Sequence, residues 1–281
     1  METKLLNPAK KHVPGDGPGL SRTDFDSASP LGQGSFGKVF KVKHKKTKKW
    51  YAIKVVSKPQ IINMKMVDQL KAEIDIMISL SHPCVVELHS YFEDSQNIFL
   101  VMELADDHLY HKLKKSGKFD EYTAAKYFRD AASAVAHLHS RDPPIIHRDI
   151  KPENLLVVGD TLKIADFGWS SLKKGTRNTY CGTPDYLAPE MIQETGHTEK
   201  LDIWTLGILL FELLAGKAPF TPQGGKDRRD KMKRLESNIL NLNIDFPTNF
   251  PQRGKKLILK CLQRNSDWRI SAEDILRDEF I

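Results

Sequence analysis

The sequence predicts an α+β protein in which a small β-rich unit precedes a larger, mainly helical unit. Short runs of β-branched and aromatic residues fill residues 25–104, and long segments with helical spacing dominate residues 105–281. The length of 281 residues agrees with two folding units, because one domain commonly takes about 150 residues.

Composition and charge exclude several classes of protein. A hydrophobic fraction of 40% is enough for a core and argues against disorder. The apolar run 206–211 ends at Glu212, far short of the roughly 20 residues that cross a membrane. The N-terminus lacks an apolar signal core, and three scattered cysteines (Cys84, Cys181 and Cys261) do not form a disulfide framework. We therefore expect a protein of the cytoplasm and nucleus without membrane partners.

Basic residues exceed acidic residues by 43 to 36, and they cluster in residues 38–58, as lysines, and in residues 226–234, as lysines and arginines. A nucleic-acid surface and a solvated lysine-rich loop both explain such clusters. The second cluster contains no aromatic residues, and motifs for DNA or RNA binding are absent from the sequence. We expect no specific nucleic-acid partner.

The first unit follows a segment, residues 1–24, that is rich in Pro, Gly and Lys and is predicted to be a mobile tail. VFKVKH and WYAIKVV then predict two strands joined by the charged turn KKTKK. Residues 63–80 show helical spacing of apolar side chains, and VVELHSYFE and NIFLVMEL predict two more strands.

The second unit opens with a long predicted helix. Its apolar face recurs at steps of three and four residues, through Ala124, Phe128, Ala131, Val135 and Leu138. Pro143–Pro144 prevents its continuation. Short strands at LLVV and LKIA, a polar loop over 169–187 and a buried helix around 203–214 follow.

A glycine-rich loop between two strands contains Gly32, Gly34 and Gly37 in a GxGxxGxV pattern that ends at Val39, the first residue of VFKVKH. Glycines let backbone N–H groups approach a polyphosphate. A plain hairpin turn is the alternative, because this pattern alone is weakly specific.

Lys54 lies in the strand YAIKVV and shares one face with Ala52. A buried lysine requires a partner, and Glu73 on the predicted helix is a candidate. A surface position for Lys54 is the alternative.

The strings HRDIKPEN and DFG carry the groups that phosphoryl transfer requires. A carboxylate must orient the attacking hydroxyl, a cation must meet the phosphoryl group, and oxygen ligands must hold Mg²⁺. Asp149, Lys151, Asn154 and Asp166 provide this set.

In this order, followed by APE, DIWTLG and DWRIS, the motifs resemble those of the eukaryotic protein kinases over residues 25–278. Lys151 and Gly182–Thr183 resemble the serine/threonine class, and DFGWS, TYCGTPDYLAPEMI and HPCVVELHSYFED resemble the Aurora family of mitotic kinases. The resemblance implies one catalytic domain with a bilobal protein kinase fold over residues 25–281.

The resemblance also implies ATP and Mg²⁺ as cofactors and assigns site residues. Lys54 would hold phosphates and Glu73 would orient it, Asp149 would position the substrate hydroxyl, and Lys151 would meet the γ-phosphate. Asn154 and Asp166 would ligate Mg²⁺. The residues implied to surround ATP are Leu31, Gly32, Gly34, Gly37, Val39, Ala52, Lys54, Met102, Glu103, Ala105 and Leu156.

The resemblance implies activation by phosphorylation of Thr179 in the 169–187 loop. Thr176 is the alternative site, and a solvated loop without phosphorylation is the alternative to both. A phosphate there would pair with Arg148 and Arg177. Ala72 stands where the family has a basic residue, so we expect an activator or scaffold protein on the small unit. Cys181 is either redox-sensitive or inert.

Glu153 and Glu212 match positions that grip a basic residue two before the acceptor, which implies Ser/Thr substrates in Arg-containing sequences, histone tails among them. The family implies a role in mitosis at the spindle, centrosome or chromosome. Another basophilic serine/threonine kinase and a pseudokinase scaffold are the alternatives, although a pseudokinase would be expected to lose Lys54, Asp149 or Asp166.

Overall fold

The structure is a computed structural model that describes residues 4–6, 20–34, 37–168 and 184–281. The described residues fall into two compact units. Those within Met1–Asp106 and Ala165–Trp169 form the small unit, and those within Asp107–Ile164 and Ser170–Ile281 form the large unit. A β-sheet dominates the small unit and helices dominate the large unit, so the predicted α+β class is confirmed.

The small unit is built on a five-stranded antiparallel sheet with the order β1-β2-β3-β5-β4. Its strands are β1 (Phe25–Gly34), β2 (Gly37–His44), β3 (Trp50–Ser57), β4 (Leu88–Glu93) and β5 (Asn97–Met102). The predicted hairpin, its turn and the two later strands are confirmed. Both later strands are shorter than predicted, because β4 begins at Leu88 and β5 ends at Met102.

Alternation along β3 assigns its side chains to two faces of the sheet. Tyr51 and Ile53 face a buried cluster with Val42, Phe99 and Val101. The intervening residues Ala52 and Lys54 point to the opposite face, and Lys54 is buried there as well. Burial on both faces explains why the strand reads as an almost continuous apolar run.

The helix predicted over 63–80 is confirmed as the second of two helices, and the first, which precedes it, was not predicted. The two helices are α1 (Lys58–Asn63) and α2 (Val67–Ser79). Lys65 separates them with a φ of 55°, and the N–H of Met66 donates to the carbonyl of Ile61. The predicted apolar face of α2 is confirmed at Leu70, Ile74 and Met77, which are buried.

The described residues of segment 1–24, which the sequence predicts to be a mobile tail, make defined contacts. The backbone N–H groups of Leu5 and Leu6 donate to the Glu93 carboxylate. Ser21 and Asp24 form a capping box around a single 3₁₀ turn. For the other residues of the segment, mobility stays a prediction.

The large unit combines a three-stranded antiparallel sheet with helices. The strands are β6 (Asp107–His108), β7 (Leu155–Val158) and β8 (Thr161–Ile164). The helices are α3 (Leu109–Ser116), α4 (Glu121–His139), α5 (Pro189–Ile192), α6 (Lys200–Ala215), α7 (Arg228–Asn241), α8 (Gln252–Cys261) and α9 (Ala272–Ile275).

Helices α4 and α6 form the middle of the large unit. Asp120 caps α4 by accepting the N–H of Thr123 at 2.8 Å, and the predicted apolar face of α4 is buried. Helix α6 is buried on nearly all sides. A Cβ on Gly207 would lie 2.7 Å from the Cβ of Cys261, so this glycine permits the close approach of α6 and α8.

Within the part of the chain that the structure describes, helices of sufficient length and apolarity to cross a membrane are absent. Cys84 and Cys261 are buried free thiols, and Cys181 lies outside the described residues. Two lysines of the first basic cluster, Lys54 and Lys58, are buried in ion pairs. These two lysines therefore belong neither to a solvated loop nor to an exposed nucleic-acid surface.

Candidate active site

The small unit contains a buried ion pair between Lys54 on β3 and Glu73 on α2. The Lys54 Nζ lies 2.7 Å from the Glu73 Oε1, and the two residues are only 5% and 2% exposed. The sequence left a surface position for Lys54 open, and the structure excludes it. Charges buried this deeply are tolerated only in pairs.

Asp166 completes a three-residue cluster around this lysine. Its Oδ1 lies 3.7 Å from the Lys54 Nζ, and its backbone has a φ of 61°. The Asp166 carboxylate also accepts the N–H of Gly168 at 3.3 Å. The Gln69 side chain on α2 donates to the Gly168 carbonyl, so α2 contacts the DFG segment as well as Lys54.

The electrostatics of the cluster keep Lys54 charged. Burial lowers its pKa, but the adjacent carboxylates of Glu73 and Asp166 outweigh burial and raise it. Burial is also the largest influence on Glu73 and raises its pKa, against the attraction of Lys54. A permanently charged ammonium in a sheltered position is suited to holding an anionic ligand.

The glycine loop lies at the β1–β2 end of the same sheet. Gly34 pairs with Gly37, and Gly32 pairs with Val39. A Cβ on Gly37 would lie 2.0 Å from the Val55 carbonyl oxygen, so β2 and β3 require glycine at this position. This requirement comes from the packing of β2 against β3, so both the hairpin turn and the phosphate-binding loop remain compatible with the glycine at this position.

Residues implied to surround adenine are placed on several parts of the fold. Register pairs Val39 with Lys54, and Ala52 with Met102, so all four side chains lie on one face of the sheet. Leu31 is 49% exposed, and the Glu103 N–H donates to the Glu87 carbonyl. Ala105 in the small unit and Leu156 on β7 of the large unit are both half-buried.

In the large unit, Asp149 is held by two neighbours in the HRDIKPEN segment. The Lys151 Nζ lies 2.9 Å from the Asp149 Oδ1. The Asn154 side-chain amide donates to the Asp149 Oδ2 and to its backbone carbonyl, both at 2.7 Å. The structure therefore brings three of the predicted residues together and fixes the orientation of the Asp149 carboxylate.

Asp202 on α6 holds the beginning of the HRDIKPEN segment through hydrogen bonds. Its carboxylate accepts the backbone N–H groups of His147 at 2.9 Å and Arg148 at 2.8 Å. The His139 Nε2 lies 2.9 Å from the same carboxylate. Arg148 has a φ of 72°, a conformation that costs energy for a residue with a side chain. The anchor stabilises this turn immediately before Asp149.

Burial by itself would raise the pKa of Asp202, since the carboxylate is fully enclosed. Hydrogen bonding from His139, the charge influence of His139 and His147, and the N–H of Arg148 outweigh burial and lower the pKa. Asp202 is therefore an anionic acceptor at neutral pH.

The predicted arginine-binding carboxylates, Glu153 and Glu212, lie in the large unit. The Tyr186 hydroxyl donates to the Glu212 Oε2 at 2.6 Å. Burial raises the pKa of Glu212, and the nearby charges of Glu153 and Asp185 raise it further, although the Tyr186 hydrogen bond lowers it. Sequence reasoning missed Tyr186 and Asp185, because nothing in their local pattern marks them as partners of Glu212.

The predicted phosphorylation site lies outside the described residues. Thr179, Thr176 and Arg177 belong to the interval 169–183. Arg148, the other predicted phosphate partner, is half-buried and near His197. Burial and then the Arg148 charge lower the pKa of His197, which keeps that imidazole neutral at pH 7.

Comparison with known proteins defines the class. The protein kinase domain family matches residues 25–281. The Lys54 and Asp149 clusters and the α+β fold agree with this match, and the chain is a protein kinase domain. Members of this family use ATP and Mg²⁺ and act on proteins.

Among protein kinases, the chain belongs to the Aurora family of serine/threonine kinases, and the predicted resemblance is confirmed. It is 40% identical to an Aurora kinase of Dictyostelium discoideum over 261 residues, covering 92% of this chain and 66% of that protein. An Aurora kinase of Schizosaccharomyces pombe is 37% identical over 260 residues, covering 92% and 71%. Aurora kinase B of Xenopus tropicalis is 39% identical over 266 residues, covering 92% and 70%. The chain thus spans about two thirds of the length of these relatives.

Replacing Asp202 with Asn should destabilise the protein by about 1–3 kcal/mol at neutral pH, because Asn carries no charge and offers one acceptor oxygen instead of two. The pKa of Asp202 is lowered from 3.8, so its contribution is present above that pH and is lost as the pH falls through the lowered value. Urea unfolding of both proteins across this range measures the difference.

The matched control is Asp160→Asn, since the Asp160 side chain is 98% exposed. This control should unfold like the wild type at every pH. Equal stability of Asp202→Asn and wild type at neutral pH would contradict the anchoring role of Asp202.

Proposed function

We propose that this chain transfers the γ-phosphate of ATP to serine or threonine hydroxyls in Arg-containing protein sequences. The observation that carries the proposal is the Asp149 cluster, in which one carboxylate is oriented by Asn154 and lies 2.9 Å from the Lys151 ammonium. The same residues occupy the catalytic-loop positions of the kinase family.

In the proposed reaction, Asp149 accepts a hydrogen bond from the substrate hydroxyl and orients its oxygen toward the γ-phosphorus. The new bond joins that oxygen to phosphorus, and the bond to the β–γ bridging oxygen breaks. ADP carries away the electron pair, and Asp149 receives the hydroxyl proton. The Lys151 ammonium stabilises the charge on the phosphoryl oxygens.

The small unit supplies ATP binding in this proposal. Lys54 pairs with the α- and β-phosphates, and Glu73 positions it through the 2.7 Å ion pair. The backbone of the glycine loop covers the phosphates. Residues assigned to the adenine and its surroundings are Leu31, Val39, Ala52, Met102, Glu103, Ala105 and Leu156.

The donor set fits Mg²⁺, which prefers oxygen ligands. Asp166 offers a carboxylate, and Asn154 uses its amide nitrogen on Asp149, which leaves its carbonyl oxygen for a cation. Bound Mg²⁺ would neutralise charge on the phosphates. Among the described residues, clusters of three or more His, Cys, Asp or Glu side chains with the arrangement of a metal site are absent.

Asp149→Asn should lower the rate constant for phosphoryl transfer by about 10²–10⁴-fold, because the amide cannot accept the hydroxyl proton. Asp166→Asn should also abolish most transfer through loss of a cation ligand. The assay uses labelled ATP, Mg²⁺ and a peptide with Arg two residues before Ser. Asp160→Asn is the control and should be fully active, and transfer by Asp149→Asn at the wild-type rate would disprove the proposal.

We further propose that Glu153 and Glu212 bind the substrate arginine. Glu212 is half-buried, and after burial the charges of exposed Glu153 and of Asp185 lie close enough to raise the pKa of Glu212 further. A guanidinium placed there would relieve their repulsion and form bidentate hydrogen bonds, which favours Arg over Lys.

Glu212→Gln should reduce kcat/KM for the Arg-containing peptide by about 10- to 100-fold, as expected for loss of a charged hydrogen bond. Activity on a peptide with Ala in place of that Arg should not change. Glu153→Gln should act in the same direction. Exposed Glu121 provides the control Glu121→Gln, and an equal loss on both peptides would rule out arginine recognition.

Activation is proposed to depend on phosphorylation of Thr179. The support is the family resemblance of the loop sequence together with two arginines, Arg148 and Arg177, that could pair with the phosphate. Arg177 also lies two residues before Thr179, so the loop has the form of its own substrate.

Thr179→Ala should lose most of the activity, whereas Thr176→Ala should retain it. Mass spectrometry of the active wild-type protein should find phosphate on Thr179. Fully active protein with unmodified Thr179 would overturn this part of the proposal.

The biological setting follows from the family. We propose a mitotic role at the spindle, centrosome or chromosome, with histone tails among the substrates and an activator or scaffold protein on the small unit. The alanine at position 72 supports the proposal of an activator. The family has a basic residue there that could couple a phosphate on Thr179 to α2, and this chain lacks that side chain.

A further inference from the structure

Glu93 forms a second buried ion pair in the small unit, apart from the Lys54 cluster. It is the last residue of β4, and its Oε2 lies 3.0 Å from the Nζ of Lys58, the first residue of α1. The side chains are 12% and 6% exposed. The Lys58 N–H also donates to the Gln96 carbonyl at 2.8 Å, so the beginning of α1 is held to the β4–β5 turn.

The same carboxylate accepts two consecutive backbone N–H groups from a segment almost ninety residues earlier in the chain. The Leu5 N–H donates to the Oε2 at 3.0 Å, and the Leu6 N–H donates to the Oε1 at 3.3 Å. Both leucines are half-buried. The Lys58 ammonium and the Leu5 N–H share the Oε2, and the Leu6 N–H contacts the Oε1.

The chemistry of this contact is that of peptide capture by a carboxylate. A charged acceptor strengthens hydrogen bonds from backbone N–H groups, and half-buried leucines add apolar contact area. Burial alone would raise the pKa of Glu93, but the N–H groups of Leu5 and Leu6 and the Lys58 ammonium outweigh it and lower the pKa. All three donors therefore favour the charged acceptor.

We propose that Glu93 and Lys58 form a docking site on the small unit for the chain's own N-terminal segment, Lys4–Leu6, and that the docked segment stabilises the junction of β4 and α1. The site shares no residue with the catalytic clusters. Helix α1 is joined by residues 64–66 to α2, which carries Glu73. Docking of the segment thus supports the part of the fold from which Glu73 reaches Lys54.

The first test removes the donors without removing the segment. Leu5→Pro combined with Leu6→Pro in the full chain eliminates both backbone N–H groups. Hydrogen exchange of the Lys58–Asn63 amides should become about tenfold faster, and the melting temperature should fall, because charged hydrogen bonds are lost. Lys4→Pro is the matched control, since it keeps both donors, and it should behave like the wild type.

The second test removes the acceptor and supplies the segment as a separate molecule. A labelled peptide of residues 1–9 should bind the double-proline variant, and adding Glu93→Gln to that variant should weaken binding about tenfold. The wild type should bind the peptide more weakly than the double-proline variant, because its own segment occupies the site. Both tests are independent of kinase activity.

Three results would overturn the proposal. The Leu5 and Leu6 amides of the wild type could exchange as fast as in an unfolded peptide. The double-proline and Lys4→Pro variants could show the same exchange in α1. Protection of these amides could also rise with protein concentration, which would identify the occupant as the segment of a second copy.

Discussion

Burial of charge is the constraint on which the functional parts of this kinase depend. Lys54 has an exposed fraction of 5%, and removing its ammonium from water is unfavourable unless a carboxylate replaces the hydration. Glu73 supplies that carboxylate only when α2 lies against the sheet, where the Glu73 Oε1 is 2.7 Å from the Lys54 Nζ. Because β3 and α2 are separate in sequence, the ion pair couples the position of a helix to the charge available for a phosphate. Asp166 extends the coupling to the DFG segment.

The large unit also contains a buried charge, but there the charge is negative. Asp202 is fully buried, and its carboxylate accepts the backbone N–H groups of His147 and Arg148 and contacts the His139 imidazole. Those N–H groups belong to the residues just before Asp149, so the charge is satisfied by the segment whose conformation matters for catalysis. The φ of 72° at Arg148 shows why an anchor is useful, since a free loop would relax from that conformation.

Much of this arrangement could be predicted from the sequence, because its signals are local. Runs of β-branched and aromatic residues predict four of the strands in the small unit, helical spacing predicts α2 and α4, and the motifs identify Lys54, Asp149 and Asp166. The break at Lys65 was not predicted, since a lysine with positive φ leaves no mark on the apolar pattern. The contacts of Gln69 with Gly168 and of Leu5 with Glu93 were missed for another reason. They join residues that are distant in the chain, and a single sequence does not report such pairs.

The carboxylates of the chain differ in function because they differ in the donors around them. Those of Asp202 and Glu93 receive several hydrogen bonds, which outweigh burial, lower their pKa values and give them structural roles. Glu212 is half-buried but has Tyr186 as its hydrogen-bond donor among the described residues, and its pKa is raised by burial and by neighbouring carboxylates. A carboxylate in such surroundings gains more from an incoming cation than one that is already satisfied. The proposed recognition of arginine thus follows from the small number of hydrogen-bond donors that the fold provides to the Glu212 carboxylate. The proposed docking of the N-terminal segment follows from the several donors that surround the Glu93 carboxylate.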